Sequence, residues 1–315
     1  MSGTFCSLLS PLLSPLLSLF FSHVQILICI LSICYIISGS IILWNALNGY
    51  KLAVIDLSCA WVMSCAMSDS GRLTASGGLD NLVTIYKLPD YSSDDVKTDK
   101  LKHHKQLADH EGYISAAVFL DDQRVVSSSG DNKCIVWDVE TGKALNVFSE
   151  HIADVQDVDK IPNTDLIVSG SIDKKCRVWD IRQDSKTKAL AFAGHEGDVN
   201  AVSALHNGNS FVSGSDDASC MLFDIRSYGP LQAYGQRNIV STISSVGVSS
   251  SGRYIFAGYD DYNCRVWDTL RGTMAISENV NNLKLHTNRV SCLGVNSAGT
   301  ALCTGSWDLT LRVFA

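Results

Sequence analysis

Charge is absent from the first fifty residues of this 315-residue chain: no Asp, Glu, Lys or Arg precedes Lys51, and all 25 basic residues lie at or beyond it. Apart from His23, nothing in that stretch titrates near neutrality, which is unlike the surface of a soluble domain. C-x-x-C pairs are also missing, so zinc ribbons and thioredoxin-like redox sites have no sequence basis. Eleven cysteines over this length are too dilute for a disulfide scaffold. Gly-x-x-x-x-Gly-Lys-[Ser/Thr] does not occur, so a phosphate-cradling loop of that kind is excluded. With a net charge of −7 there is no broad positive footprint for nucleic acid. Beyond Lys51 no apolar pattern of period 3.6 reaches helix length, which argues against a helical domain. Hydrophobic residues are plentiful, at 46%, and they exclude a disordered chain.

What is present is a repeat. Cys134, Cys176, Cys220 and Cys264 fall at intervals of 42, 44 and 44. Around them runs one unit: Asp131-Asn-Lys-Cys-Ile-Val-Trp137-Asp138, Asp173-Lys-Lys-Cys-Arg-Val-Trp179-Asp180, Asp217-Ala-Ser-Cys-Met-Leu-Phe223-Asp224 and Asp261-Tyr-Asn-Cys-Arg-Val-Trp267-Asp268. Weaker copies end at Tyr86 and Phe314, and a remnant without the Asp ends at Leu43-Trp44-Asn45. Seven aromatic ends at this period predict an all-β, seven-bladed propeller of four-stranded blades, in which each Cys is a reduced, buried thiol. The one long step, between Tyr86 and Trp137, holds a charged surface insertion from Ser92 to Lys105.

Each unit carries further order. A hydroxyl residue sits four places before the Asp (Ser76, Ser127, Ser169, Ser213 and Thr304), with Ala257 the exception. A His lies 21 or 22 places before it in four units: His110, His151, His195 and His286. A His-Ser-Asp set invites a nucleophilic reading. That site is built once in an enzyme, however, whereas this set recurs unit after unit. The expected role is structural: Asp131, Asp173, Asp217 and Asp308 accept from the His rings, and the hydroxyls and the Trp137 and Trp179 N–H groups continue each network. His195→Ala is expected to lower stability, not to abolish a reaction.

The same spacing locates a face. Residues just before the turn Asp (Leu79, Gly130, Ile172, Asp216, Asp260 and Trp307) share one loop, and those three places after the His (Tyr113, Asp154, Asp198 and Arg289) share another. Trp61 falls at the latter position in the unit that lacks a His. Strand direction alternates, so both loop types emerge on one side of a propeller. Aromatic and apolar residues among carboxylates on rigid loops predict a protein-binding surface.

These strings resemble the WD-repeat family and, within it, the β subunits of heterotrimeric G proteins. The resemblance rests on Ser58-Cys-Ala-Trp61-Val-Met-Ser-Cys, Ser76-Gly-Gly-Leu79-Asp-Asn81, Glu111-Gly-Tyr113-Ile-Ser, Gly214-Ser-Asp216-Asp-Ala-Ser-Cys, Ala257-Gly-Tyr-Asp-Asp-Tyr-Asn-Cys264, Asn288-Arg-Val-Ser-Cys-Leu-Gly294 and Thr304-Gly-Ser-Trp307-Asp308. It runs from about Ile41 to the C-terminus. It implies a non-catalytic transducer that binds the GDP-bound α subunit or effectors through Lys51, Trp61, Met63, Leu79, Asn81, Tyr113, Asp154, Asp198, Asn200, Asp216 and Trp307. It implies a γ subunit as second partner, attachment at the cytoplasmic face of the plasma membrane through partners, and no cofactor or metal. The sequence departs from the family pattern with Ala60 for a hydroxyl residue, Gln156 for Met and Ile172 for Cys. Two alternatives are another WD-repeat scaffold, against which the Trp61 and Trp307 strings argue, and a propeller enzyme. The enzyme would need a cluster of catalytic groups occurring once.

Residues 1–40 do not follow the resemblance, which implies a charged coiled-coil helix for γ and the remaining strands of the first blade. They read instead as Ser-Leu-Leu-Ser-Pro repeats followed by an apolar run from Leu16 to Ile37, long enough to span a bilayer. The run has neither a basic leader nor flanking Lys or Arg. A membrane anchor, an alternative N-terminus and translated non-coding sequence all fit. The abrupt start of the resemblance at Ile41 favours the last, and with it an incomplete blade one and weakened γ binding. Peptide mapping of the natural N-terminus decides among them.

Overall fold

The computed structural model describes residues 28–31, 39–45, 51–57, 59, 61–88, 103–183, 188–275, 286–296 and 299–314. Every regular element among them is a β-strand, and all pairings are antiparallel between strands consecutive in sequence. There are seven sheets, five of four strands and two of three. The expected seven-bladed propeller with an incomplete first blade is therefore what the chain forms. Blade one consists of Ile28–Leu31, Ser40–Asn45 and Lys51–Asp56. Blade seven, with Val290–Val295, Leu302–Ser306 and Leu311–Phe314, is three-stranded as well. Ile28–Leu31 falls inside the apolar run from Leu16 to Ile37, and it pairs with Ser40–Asn45. The other residues of that run lie outside the described residues, as does most of the Ser92–Lys105 insertion. Among the described residues, no helix is long and apolar enough to cross a membrane.

The innermost strands of blades two to seven are Val62–Met67, Ile114–Phe119, Val155–Lys160, Val199–Ala204, Ile243–Val248 and Val290–Val295. They touch one another in succession around the ring. The core lies between blades and not within them. Val125, Ile135 and Trp137 of blade three pack with Ile85 and Leu107 of blade two, and Val212 of blade five packs with Ile255 and Trp267 of blade six. In blade five, Phe211 and Phe223 stack with centroids 5.0 Å apart. Each such buried apolar side chain contributes about 1.5–3 kcal/mol.

Small residues on the second strand of each blade allow this packing. A Cβ at Gly214 would come within 2.6 Å of Ile243 and 2.5 Å of Val246 on the next blade, so only glycine permits the approach. On the third strand, Cys134, Cys176, Cys220 and Cys264 are free and buried. Burial pushes the Cys134, Cys176 and Cys264 thiols up to about 12, so they act as small hydrophobes.

The repeated Asp has a local cause. The residue after it adopts a left-handed conformation in six blades: Asn81, Asn132, Lys174, Ala218, Tyr262 and Leu309, with φ between 61° and 73°. The Asp carboxylate holds that turn by accepting the N–H two residues on, as Asp131 does from Lys133 (3.0 Å) and Asp308 from Thr310 (2.9 Å).

Candidate interaction face

The His-Ser-Asp sets form where the spacing put them. In blade three His110 Nδ1 lies 2.9 Å from Asp131, His110 Nε2 lies 2.8 Å from Ser127 Oγ, and Trp137 Nε1 donates to that same hydroxyl at 2.8 Å. One proton arrangement satisfies all four groups: Nδ1–H donates to the carboxylate, the Ser127 hydroxyl donates to Nε2, and the hydroxyl oxygen accepts from the indole. Blade four repeats this with His151, Asp173, Ser169 and Trp179 at 3.0, 2.8 and 2.8 Å, and adds Arg177 Nη1 on Asp173. Blade five has His195, Asp217 and Ser213 at 2.8 and 2.6 Å, and blade seven has His286, Asp308 and Thr304 at 2.9 and 2.9 Å. In these two the aromatic is Phe, so the chain of donors ends at the hydroxyl. Blade six, with Ala257, leaves Trp267 Nε1 and Tyr259 OH buried without a partner.

All four histidines are buried. Burial is the largest single influence and would raise the pKa of the partner aspartates, but at Asp131, Asp173 and Asp217 the histidine hydrogen bonds, further N–H groups and hydroxyls, and Arg177 beside Asp173 together outweigh it. The same is true of Asp308, where Thr310 and backbone N–H groups rank with His286. All four carboxyls stay below the usual range. His151 moves down, first through burial and also because Arg177 is close. Repeated and closed to solvent, these sets hold loops in place. Asp131 also accepts the N–H of Glu111 (3.1 Å) and Asp217 that of Glu196 (3.0 Å), tying the loop after each His to the turn carrying the Asp.

Those two loops meet as backbone pairs. The residue before each turn Asp donates its N–H to the carbonyl of the residue three places after the His position: Leu79 to Trp61 (3.1 Å), Gly130 to Tyr113 (3.0 Å), Ile172 to Asp154 (3.0 Å), Asp216 to Asp198 (2.9 Å) and Trp307 to Arg289 (3.1 Å). Asp260 does the same to Thr242 in blade six (3.1 Å). The two sets of loops are thus paired on one face.

Trp61, Met63, Leu79 and Trp307 are between 43% and 50% exposed there, far more than an aromatic or aliphatic side chain has in the core. Arg289 lies over the Trp307 ring, 3.7 Å from its centroid. Tyr113 donates to Asp154 (2.9 Å) and accepts from Gln156 (3.2 Å), and burial followed by the Asp154 bond raises the Tyr113 pKa. Asn200 donates to Asp216 (2.6 Å), and Asn81 to the Glu111 carbonyl (3.2 Å).

Lys51 stands apart. It opens the outer strand Lys51–Asp56 of blade one, opposite Trp44 and at the far end from Trp61, so it belongs to the side of the ring. Two exposed side chains escaped the spacing argument, Tyr262 (47%) and Leu309 (61%). Both directly follow a turn Asp, so extending the reading by one residue would have included them.

Among the described residues no group of three His, Cys, Asp or Glu side chains converges as metal ligands. The WD40 β-propeller domain of Doa1 superposes with a TM-score of 0.70, covering 88% of this chain and 86% of that one at 20% identity, which shows the fold. The chain is 46% identical over 277 residues to a guanine nucleotide-binding protein subunit β of Dictyostelium discoideum, an alignment covering 88% of this chain and 76% of that protein. It is 42% identical over 291 residues to the corresponding protein of Zea mays, with 88% and 75% covered. The family model described as G protein beta WD-40 repeat protein matches residues 18–315. With repeat, fold and sequence in agreement, the chain belongs to the WD-repeat family of G protein β subunits, which are non-catalytic propellers.

Proposed function

We propose that this chain holds a GDP-bound α subunit on the paired-loop face, through Trp61, Met63, Leu79, Asn81, Tyr113, Asp154, Asp198, Asn200, Asp216 and Trp307, and engages effectors with the same face after release. Lys51 would meet the α subunit along the side of blade one. The observation that carries this reading is the exposure of Trp61, Leu79 and Trp307 on loops fixed by backbone pairs, with the buried His286–Asp308 contact behind Trp307. Large aromatics that lose little freedom on binding, set beside carboxylates, have hot-spot composition.

A γ subunit would take a different side. Tyr228 in the turn entering the outer strand of blade five (Gly229–Tyr234), Leu231 on that strand and Leu270 in the turn following the third strand of blade six are 66%, 54% and 80% exposed. Such a partner would bring the complex to the cytoplasmic face of the plasma membrane.

The test is capture of the purified chain by a GDP-loaded α subunit. Trp61→Ala should lose capture, while folded His195→Ala keeps it. Equal capture by wild type and Trp61→Ala, or turnover of any substrate by the chain alone, overturns the reading.

A further inference from the structure

Innermost strands of a propeller leave one row of backbone N–H groups unpaired along the ring's inner edge. Where blades four and five adjoin, two carboxylates take up that row. Asp157 and Asp159 alternate on Val155–Lys160, so both point to one side of the strand. Asp157 accepts the N–H of Val158 on its own strand at 2.9 Å and that of Val202 on the next blade at 2.8 Å. Asp159 accepts Lys160 N–H and Ala204 N–H, both at 2.8 Å. Between blades two and three the corresponding bond is neutral, with Ser64 Oγ accepting Ala117 N–H at 2.9 Å.

We propose that Asp157 and Asp159 form a proton-sensitive clasp between blades four and five, in which binding one proton relieves the repulsion of two carboxylates on one strand face.

Few other charges compete. On the same strand, the Lys160 ammonium pairs with Asp69 at 2.7 Å and still favours the Asp159 anion. From blade five only His206, beyond the end of Val199–Ala204, bears on Asp159. The adjoining strands Ile114–Phe119 and Leu166–Ser171 carry no titratable side chain. Two influences oppose each other at the pair. Burial and the neighbouring carboxylate favour protonation of Asp157, while the N–H donors favour the anion. Both carboxylates are only half-buried, yet the strands packed around them let burial win, pushing Asp157 up to about 7 and Asp159 up to about 6.

The direction of the pH effect follows. An unfolded aspartate has released its proton above its ordinary value of 3.8, but in the fold the pair still holds one. The clasp's contribution to stability is therefore full below that value and is lost as pH rises through about 6 to 7.

The experiment is thermal unfolding of the full chain from pH 8 to pH 5.5, alongside the double variant Asp157→Ser/Asp159→Ser, which copies the neutral Ser64 bond. The wild-type Tm should rise by about 5 °C relative to the variant over that range. The variant should be the more stable of the two at pH 8. Parallel Tm–pH curves overturn the proposal. Should the double variant not fold, carbon-13 detection of aspartate carboxyls in the wild type decides instead. Two carboxyls titrating between pH 5.5 and 7.5 support the clasp, and none titrating above pH 5 overturns it.

Discussion

Arg289 covers the ring of Trp307, its guanidinium carbon 3.7 Å from the centroid, while the same guanidinium reaches Asp260 of blade six at 3.8 Å. The indole is thereby held on the face by a cation that is itself anchored to the neighbouring blade. A pre-set side chain loses less freedom on binding. Removing the indole should cost a hot-spot amount, about 2 kcal/mol or roughly 30-fold in affinity for a GDP-loaded α subunit. Removing the cation should cost less, about 0.5–1 kcal/mol. Surface plasmon resonance of Trp307→Ala and Arg289→Ala measures both. Equal losses, or none, would show that the stacking does not prepare the site.

The hydroxyls in the His-Asp networks should not be equivalent. Ser127→Ala strips a partner from both His110 Nε2 and Trp137 Nε1, since both meet that oxygen at 2.8 Å. Ser213→Ala deprives His195 and the weakly bonding Cys176 thiol but no indole, because blade five carries Phe223. Leaving one buried polar group unsatisfied costs about 1–3 kcal/mol. Ser127→Ala should therefore destabilise by more than Ser213→Ala, by about 1 kcal/mol or more. Urea unfolding monitored by tryptophan fluorescence gives the ranking, and a reversed order contradicts the donor assignment.

At acid pH the turn aspartates should act opposite to the Asp157–Asp159 pair. Asp217 is held below its ordinary value of 3.8, where the His195 and Ser219 bonds outweigh burial. Its contribution is present above that value and is lost as pH falls through it. Asp217→Asn should be less stable than wild type at pH 7, by about 1–2 kcal/mol, and should lose less of its stability between pH 4 and pH 2.5. Fluorescence-monitored acid titration of the two proteins tests this. Identical acid transitions would mean that Asp217 carries no such charge-assisted bond.

The blades were legible because their punctuation is chemical. An Asp that caps a left-handed turn, a small residue opposite the next blade and an aromatic at the strand end each leave a residue type at a fixed place. Asp131, Gly214 and Trp137 could therefore be read from spacing alone. The pairing of Trp61 with Leu79 was likewise implied, since both positions repeat around the ring. Asp157 and Asp159 could not be found in this way. Val155-Gln-Asp-Val-Asp-Lys160 reads as an ordinary half-exposed strand, and only the adjoining strand shows that the carboxylates accept N–H groups from the next blade. The place of Lys51 was not legible for a related reason. Resemblance assigns a residue to a partner without saying which side of the ring it occupies.

Blade two offers the sharpest test of the repeat logic. Cys59 stands 21 residues before Asp80, as His110 stands 21 before Asp131, although it is two residues before Trp61 where His110 is three before Tyr113. Its thiol turns back to the Trp61 carbonyl at 3.3 Å, beside a pocket that Ser76, Asp80, Thr84 and Tyr86 help to line. The carboxylate and the hydroxyl of the missing network are thus in place, and only the imidazole is lacking. Cys59→His should complete it, with Nδ1–H donating to Asp80 and Nε2 accepting from Ser76. Two hydrogen bonds of about 0.5–1.5 kcal/mol each, less the entropy of fixing the ring, leave a gain of about 1 kcal/mol. For a chain of 315 residues that corresponds to a Tm about 1–2 °C higher. Differential scanning calorimetry of Cys59→His measures the gain, and Cys59→Ala serves as the control for loss of the thiol. A Tm below that of the alanine variant would mean that the loop from residue 59 to Trp61, one residue shorter than that from His110 to Tyr113, keeps an imidazole there from reaching Asp80 and Ser76.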